Sequence, residues 1–279
     1  MTALGMTSII FIGSLFAGLI GALSGLGGGI VIVPLLVLGL GVDIHYAIGS
    51  SLIAVIATST ASSCAYVKEG YANVRLGILL ETATTIGAIL GVAFASQLPA
   101  TKLSLIFGIF LLYCATSSLY QTKQLSKNFF SDKLALALKL NNSYPSDQGF
   151  KSYPVHHIPL GYAIMFAAGG LSGILGIGSG ALKVVALDRV MGLPFKVSTA
   201  TSNFMIGVTA AASAGLYLKL GYVDPILTMP IVLGVVSGSY MGARLLPKMT
   251  TDFLRKLFAF VVILIGLQMI WNTIGKGMS

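Results

Sequence analysis

Charged residues are scarce in this chain, and their scarcity excludes most classes of soluble protein. Only 9% of the 279 residues are Asp, Glu, Lys or Arg, whereas a soluble globular domain carries about 25%. Hydrophobic residues make up 56% of the chain, and the mean hydropathy is +0.92. The composition therefore predicts an integral membrane protein with the lipid bilayer as its surroundings.

Cysteine is also scarce. Cys64 and Cys114 lie in separate apolar stretches without a Cys-X-X-Cys pattern, so we expect buried free thiols with no disulfide and no metal role. The net charge of +9 would suit nucleic acid, but the cations form no basic face and collect in loops between apolar runs. We therefore expect no nucleic-acid partner, no metal and no cofactor.

Apolar runs are abundant, and one long polar stretch divides them. The runs cover roughly 8–40, 46–66, 74–97, 103–121, 159–187, 198–218, 225–246 and 253–274. The polar stretch is rich in Ser, Asn, Pro and Lys, which is typical of a linker. The pattern predicts an all-α polytopic transmembrane helix bundle with a first repeat at 1–121, a linker at 122–157 and a second repeat at 158–279. A short amphipathic helix could lie at 131–140.

The two apolar halves repeat each other. From Gly27 onward, a constant shift of 151 positions aligns the first half with the second without a gap. Gly27 then meets Gly178, and the run Tyr66, Lys68, Gly70, Tyr71 meets Tyr217, Lys219, Gly221, Tyr222. Because this Tyr–Lys–Gly–Tyr match occurs in one register, chance is a poor explanation. The sequence therefore predicts an internal duplication.

The first apolar run of each half contains a glycine-rich stretch, at 21–34 and 169–183. Glycine clusters weaken helices, because the backbone loses more entropy and no side chain packs. A broken helix is tolerated in a membrane only where it is buried in protein or lines a cavity. Two such breaks at corresponding positions are typical of the binding site of a secondary transporter.

The positions of the cations indicate how these breaks affect topology. Sixteen Lys and Arg residues remain when Lys183, which lies deep within an apolar run, is set aside. If each first run crossed the membrane once, they would divide nine to seven between the two sides. If each break reversed the chain, they would divide thirteen to three, which is the usual positive-inside bias. We therefore predict two inverted repeats with discontinuous first helices, a cytoplasmic linker at 122–157 and both termini outside.

The glycine stretches are the first candidates for a binding site. A helix that begins within the membrane directs free N–H groups and the positive end of its dipole at whatever lies there. The candidate anion-binding residues are Gly27, Gly28, Gly29, Gly178, Ser179 and Gly180. The alternative is close helix packing, which we favour for the isolated pairs Gly87/Gly91 and Gly238/Gly242.

A polar cluster follows each glycine stretch and could supply side-chain donors to an anion. Its members are Ser50, Ser51, Thr201, Ser202 and Asn203. Each hydroxyl could instead bond to a carbonyl of the preceding turn, and this alternative stays open for Ser50 and Thr201. Ser51 and Ser202 occupy equivalent positions in the repeat, which favours a shared role.

Two ionisable residues lie within apolar runs. Lys183 could be the counter-charge for an anion, since a charge inside the membrane is a functional candidate by default. It could equally extend its ammonium group toward the membrane surface near Asp188 and Arg189. Glu81 is a candidate for proton coupling, although we slightly prefer a position near the membrane surface.

Aromatic residues near the ends of the apolar runs are typical of the two membrane–water interfaces. They are Tyr66, Tyr71, Tyr217, Tyr222 and Trp271.

An enzyme and a channel are the alternative classes. Gly170-Leu-Ser-Gly173 matches the pattern around the nucleophile of rhomboid-type intramembrane proteases, but such a serine needs a base within the membrane. His45, His156 and His157 all lie at the edges of the runs or in the linker. We therefore expect no enzymatic activity. A passive, channel-like anion facilitator stays open as an alternative, although repeated discontinuous helices favour alternating access.

The paired stretches GALSGLGGGIVIVPLL and GGLSGILGIGSGALKV, followed by AIGSSL and STATSNF, resemble the TauE/SafE family of membrane permeases. The resemblance covers essentially the whole chain on both sides of the linker. It implies an inner-membrane transporter for small sulfur-containing anions such as sulfite, sulfoacetate, thiosulfate or organosulfonates, coupled to H⁺ or Na⁺. The second motif is three residues longer than the first, so which of its glycines contact the substrate is open. The substrate, the direction of transport, the coupling ion and a homo-oligomeric state are also open.

Overall fold

A computed structural model describes residues 3–24, 27–119, 132–146, 149–245, 249, 256, 259–260, 262–264 and 266–271. Its α-helices are α1 (Ala3–Ser24), α2 (Gly29–Pro34), α3 (Ile44–Lys68), α4 (Val74–Ala95), α5 (Ala100–Leu119), α6 (Lys133–Ala137), α7 (Ile158–Leu175), α8 (Gly180–Val185), α9 (Phe195–Lys219) and α10 (Pro225–Leu245). A π-helical turn continues α2 at Leu35–Gly39, and another continues α8 at Ala186–Val190. Residues 262–264 and 266–271 are also helical.

Five of the described helices are long and apolar enough to cross a membrane, as an all-α polytopic membrane protein requires. They are Gly5–Leu23, Ile44–Lys68, Val74–Ala95, Ile158–Leu175 and Pro225–Leu245. The predicted fold class is confirmed. The start of the predicted linker, part of the last apolar run and the C-terminus lie outside the described residues.

The structure repeats at the predicted spacing. The spans of α2, its π-helical turn and α3 reappear 151 positions later in α8, its π-helical turn and α9. Backbone conformations repeat as well, because Gly41 and Gly192 both have positive φ, as do Gly70 and Gly221 at the ends of α3 and α9. Glycine suits these helix-ending positions because it has no Cβ to clash. The duplication is therefore visible in the backbone.

Both glycine breaks reverse the direction of the chain. A Cβ added to Gly21 would lie 2.6 Å from the amide nitrogen of Gly28, and one added to Gly13 would lie 2.7 Å from Cδ2 of Leu35. The chain thus returns along α1. In the second half, the amide of His156 donates to the carbonyl of Met191 at 3.1 Å, so the chain returns to the start of α7.

The two halves are inverted relative to each other. Gly49, near the start of α3, packs against the carbonyl of Tyr222, just beyond α9. Ser59, further along α3, donates to the carbonyl of Asn203 near the start of α9. The helices α3 and α9, which are repeat mates, are therefore antiparallel. A twofold axis along the membrane normal would have made them parallel. The predicted inverted repeat is confirmed by this contact.

The first helix of each half packs against a helix of the other half. The most extensive helix pairs are α1 with α10 and α4 with α7, which are equivalent under exchange of the halves. Small residues make the close approach possible. Gly87 and Gly91 lie against the backbone at Phe166 and Gly170, and Gly238 and Gly242 lie against the carbonyls of Leu15 and Leu19. The prediction that these glycine pairs serve packing is confirmed.

The linker is folded where it is described, and it packs on the α3–α4 turn. Strands β1 (Asn142–Ser146) and β2 (Gly149–Tyr153) form an antiparallel hairpin that the sequence analysis did not predict. The short helix predicted at 131–140 is present as α6. Asn73, which caps α4, donates to the carbonyl of Leu140 at 2.9 Å and to the hydroxyl of Tyr153 at 3.2 Å. Burial raises the pKa of Tyr153 to about 12, although the Asn73 hydrogen bond opposes the rise.

One prediction about cysteine is wrong. Cys64 is a free thiol, but its side chain is exposed on the surface of α3 instead of buried. The apolar character of the surrounding sequence reflects a helix face outside the protein core. The side chain of Cys114 lies outside the described residues.

Candidate functional site

The two glycine breaks meet at the centre of the molecule. The first separates α1 from α2, and the second separates α7 from α8. A Cβ added to Gly29 would lie 3.1 Å from the carbonyl oxygen of Gly176 and 3.1 Å from Cα of Ile177. Stretches that are almost 150 residues apart in sequence are therefore in contact, as the repeat predicts.

Val55 and Ile206, themselves repeat mates, pack against both breaks. A Cβ on Gly27 would lie 3.3 Å from Val55 and 3.4 Å from Ile206, and Gly178 faces the same two side chains. Gly27 and Gly178 also have φ values of +72° and +69°, which favour glycine. Close packing and backbone conformation thus explain both glycines without a ligand.

Two predicted hydroxyl groups satisfy carbonyls beside the second break. Ser51 Oγ donates to the carbonyl of Gly176 at 2.6 Å, and it also lies 3.0 Å from the carbonyl of Ile48 in its own helix. Ser202 Oγ donates to the carbonyl of Gly180 at 3.3 Å. Gly176 follows the last residue of α7, so its carbonyl has no partner within that helix, and leaving it unpaired in the interior would be costly. Ser51 therefore stabilises the break, whereas Ser202 bonds to the first residue of α8.

Two tyrosines also donate to carbonyls beside the breaks, and they lie elsewhere than the sequence predicts. The hydroxyl of Tyr66 donates to the carbonyl of Ala22 at 2.8 Å, and that of Tyr217 donates to the carbonyl of Gly173 at 3.3 Å. Both side chains are buried, so the prediction of interfacial positions is wrong for these two. Because they are repeat mates and so are their acceptors, the Tyr–Lys–Gly–Tyr match was the signal of a shared structural role.

The other predicted donors are divided between different contacts. The hydroxyl of Thr201 accepts from the amide of Asn73 at 2.9 Å, and Ser50 Oγ accepts from Thr228 at 3.3 Å. Asn203 Nδ2 donates to the carbonyl of Ala22 at 3.1 Å, beside the first break. Thr201 and Ser50 therefore connect neighbouring helices, whereas Asn203 contacts the first break.

Two buried polar atoms of the predicted site have no hydrogen-bond partner among the residues that the structure describes. They are Ser179 Oγ and Asn203 Oδ1, and both residues are fully buried. Ser179 precedes α8 with φ at +50°, whereas its repeat mate Gly28 has φ at −67°. Buried polar atoms are nearly always paired, so unpaired ones here are places where a ligand could bind.

Lys183 and Glu81 contact each other inside the protein. Lys183 is fully buried and Glu81 is 6% exposed, and 3.5 Å separates Nζ from Oε2. Lys183 Nζ donates to Thr209 Oγ1 at 2.5 Å, and Thr209 Oγ1 donates to Glu81 Oε1 at 2.5 Å. The surface positions considered for both residues are therefore wrong, since the two charges neutralise each other in the core.

This charged cluster, which comprises Glu81, Thr84, Lys183 and Thr209, lies where α4, α8 and α9 meet. It combines Glu81 and Thr84 of the first half with Lys183 and Thr209 of the second, and the repeat mates of these residues carry no charge. The equivalent positions, 151 residues away, hold Val232, Val235, Ile32 and Thr58. Thr58 is the one polar residue among them, and it donates to the carbonyl of Ala54 in its own helix. The backbone conformation repeats between the halves, but the charged side chains do not.

These observations define the class of protein. Two inverted repeats span the membrane, and each begins with a helix broken at glycines. The two breaks meet at the centre beside buried polar and charged side chains. This is the architecture of membrane transporters built from inverted repeats.

Comparison with known proteins identifies the family. Residues 10–269 match the family described as sulfite exporter TauE/SafE, and the chain belongs to that family. It is a multi-pass membrane transporter. The resemblance in the paired glycine stretches is thus confirmed over nearly the whole chain.

Curated relatives agree with this assignment. The chain is 30% identical to the probable membrane transporter protein YunE of Bacillus subtilis over 95% of this chain and 98% of the relative. It is 26% identical to the probable membrane transporter protein YdhB of the same organism, over 86% and 90%. It is 25% identical to the probable membrane transporter protein MJ0441 of Methanocaldococcus jannaschii, over 94% of both chains. No solved structure matches the chain significantly.

The names of these relatives point to transport and not to catalysis. Ser172, the serine of the protease-like pattern, is buried in α7. Of the three histidines, His45 pairs with Asp43 at 3.0 Å, and His156 and His157 lie at the start of α7. The described part of the chain brings no three His, Cys, Asp or Glu side chains together as metal ligands.

Proposed function

We propose that the protein is a secondary transporter of small sulfur-containing anions, such as sulfite, thiosulfate, sulfoacetate or other organosulfonates, and that it works by alternating access. The observation that carries the proposal is the contact between the two glycine breaks, beside which no described residue bonds to Ser179 Oγ or Asn203 Oδ1. The family description adds the chemical class of the substrate.

The proposed site combines backbone and side-chain groups of both halves. Backbone amides at Gly27, Gly28, Gly29, Gly178, Ser179 and Gly180 would face the anion, with side chains from Ser50, Ser51, Thr201, Ser202 and Asn203 around them. The backbone amide of Lys183, in the first turn of α8, donates to the carbonyl of Ser179 at 3.1 Å. The backbone of Lys183 therefore lies one helical turn from the break. Among the hydroxyls, Ser179 is the first choice as a ligand, because its hydroxyl has no hydrogen-bond partner in the described part of the chain.

Replacing Ser179 with glycine is expected to reduce anion transport about 5- to 30-fold, which corresponds to one hydrogen bond of about 1–2 kcal/mol. Glycine suits the positive φ of this position and should leave the fold intact. Uptake into proteoliposomes would be measured with sulfite, thiosulfate, sulfoacetate and methanesulfonate. Ser14→Ala is the matched control, since Ser14 Oγ is equally buried and also lacks a partner among the described residues, but it lies on α1 against α10.

Two results would count against the proposal. Equal losses in both variants would mean that the hydroxyl at position 179 has no special role in binding. Uptake that follows only the anion's own gradient, with no response to an imposed H⁺ or Na⁺ gradient, would favour the channel-like facilitator over the transporter.

The proposed orientation places the linker in the cytoplasm and both termini outside, on the opposite side. A reporter that is active only in the cytoplasm should therefore give no signal at the C-terminus and a strong signal when inserted at 122–131. A reporter that is active only outside should give the reverse pattern. An active cytoplasmic reporter at the C-terminus would contradict the orientation, even though the halves are inverted.

A further inference from the structure

The charged cluster has hydrogen-bonding capacity that the protein does not use. Lys183 Nζ carries three N–H donors, and in the described part of the chain it donates one hydrogen bond, to Thr209. Glu81 Oε2 is buried and accepts no hydrogen bond from any described residue, although it lies 3.5 Å from Nζ. The ammonium group therefore has donors free for a further acceptor.

We propose that a bound anion and the Glu81 carboxylate are alternative partners of Lys183, and that each monovalent anion bound leaves one proton on Glu81. The inference rests on the proposed transport function and adds its coupling ion, which is H⁺. It also gives Thr209 a role, because its hydroxyl can donate to an oxygen of the anion as it now donates to Glu81 Oε1.

Charge balance is the reason for the coupling. In the structure, one positive and one negative charge share a buried cluster. A monovalent anion at Lys183 would bring the cluster to a net charge of minus one, and an uncompensated buried charge costs several kcal/mol. If Glu81 takes up a proton from the aqueous phase, the carboxyl group becomes neutral and the cluster is balanced again. Binding of the anion therefore draws in a proton.

No other ionisable group among the described residues is placed to do this. The helices packed around Glu81 are α7, α8 and α9. On α7 the titratable group is Tyr162, whose hydroxyl contacts Thr82 on another face of α4. On α8 it is Lys183. On α9 the ionisable residues lie at the two ends of the helix and are Lys196, Tyr217 and Lys219. The π-helical turn after α8 contains Asp188 and Arg189.

The chemistry of the cluster also limits the ligand. An ammonium group and a hydroxyl that now hold a carboxylate suit a small oxyanion with two or three acceptor oxygens. Sulfonates and oxyanions of sulfur meet this requirement. A neutral solute would leave Lys183 and Glu81 paired, so it would have no reason to take up a proton.

The test is a count of protons moved with each anion. The purified protein would be reconstituted in liposomes that contain a pH-sensitive dye, with the membrane voltage clamped. Methanesulfonate, sulfoacetate, thiosulfate and sulfite would be supplied, and the count would be made with each anion that the parent carries. Methanesulfonate is the most informative, because it stays a monoanion and its own protonation does not contribute.

In the parent protein, methanesulfonate entry should acidify the lumen, and its apparent affinity should rise up to tenfold for each unit fall in pH. Glu81→Gln should keep anion-for-anion exchange, move no proton and show an affinity that does not depend on pH. Thr209→Val should weaken uptake. The matched control, Thr58→Val at the equivalent position of the other half, should leave uptake unchanged.

The outcomes separate this inference from the proposed function. A parent that carries none of the four anions would overturn the proposed function. A parent that carries an anion without protons, or a Glu81→Gln variant that still moves them, would overturn only the coupling. A folded Glu81→Gln variant that has lost exchange would show that Glu81 is needed for binding itself, which also contradicts the inference.

Discussion

Replacing Gly238 with leucine is expected to separate α1 from α10 and to destabilise the protein by about 3 kcal/mol or more. A Cβ at this position would overlap the carbonyl oxygen of Leu15 and would lie 2.8 Å from its carbonyl carbon and 3.0 Å from the amide of Leu19. These are backbone atoms of a helix, so they cannot rotate away as a side chain could. The rest of the leucine side chain would force the two helices apart.

The measurement is the melting temperature in detergent, together with the fraction of monodisperse protein after purification. Gly215→Leu is the control, because Gly215 also lies within a helix, α9, but a Cβ there would meet nothing within 4 Å. If the two variants melted within a few degrees of each other, close contact at Gly238 would not stabilise the pair α1–α10.

The second large effect is expected for Lys183→Met. The variant leaves the Glu81 carboxylate buried without its counter-charge, and breaking a buried ion pair in this way costs about 3–5 kcal/mol. The variant should also lose anion transport. Because a protonated carboxyl group is neutral, the loss of stability should shrink as the pH falls. Melting curves over a range of pH would measure both the cost and its direction.

Two further variants make this result specific. Ile32→Met changes the equivalent, equally buried position of the first half and should cost less than about 1.5 kcal/mol, since it conserves apolar volume. The double variant Lys183→Met/Glu81→Gln should recover much of the stability but none of the transport. If the double variant were as unstable as Lys183→Met alone, the cost would come from lost packing and not from an unpaired charge.

The breaks, the repeat and the reversal of the chain could be predicted because each leaves a local or a periodic signal. Glycine clusters mark the breaks, and the offset of 151 positions appears in the side chains before it appears in the backbone. The distribution of cations between the two sides of the membrane indicated that each break reverses the chain. Such signals depend on composition and order along the chain, which the sequence displays directly.

The contact between Glu81 and Lys183 could not be predicted in the same way. The residues are 102 positions apart, so the offset of 151 does not pair them. Their repeat mates, Val232 and Ile32, are apolar, so the repeat gave no reason to look for a charge at either position. A charged residue in an apolar run has two ways to avoid lipid, by reaching the surface or by finding a partner, and sequence alone does not choose between them.

The buried tyrosines show the same limit. Tyr66 and Tyr217 lie near helix ends in the sequence, which favours an interfacial position. Their hydroxyl groups instead satisfy carbonyls that the glycine breaks leave free. The demand for these donors arises only once α1 and α7 are broken and packed, so it is a property of the tertiary structure.

The asymmetry of the charged cluster has an energetic consequence for the whole molecule. If the two halves had the same side chains, exchanging their conformations would leave the free energy unchanged, and the inward-facing and outward-facing states would be equally populated at rest. Glu81 of the first half and Lys183 of the second form a buried ion pair, while their repeat mates, Val232 and Ile32, carry no charge. If the protein works by the proposed alternating access, the exchange moves a buried ion pair into a different surrounding, and these four residues would bias which side of the membrane the resting protein faces.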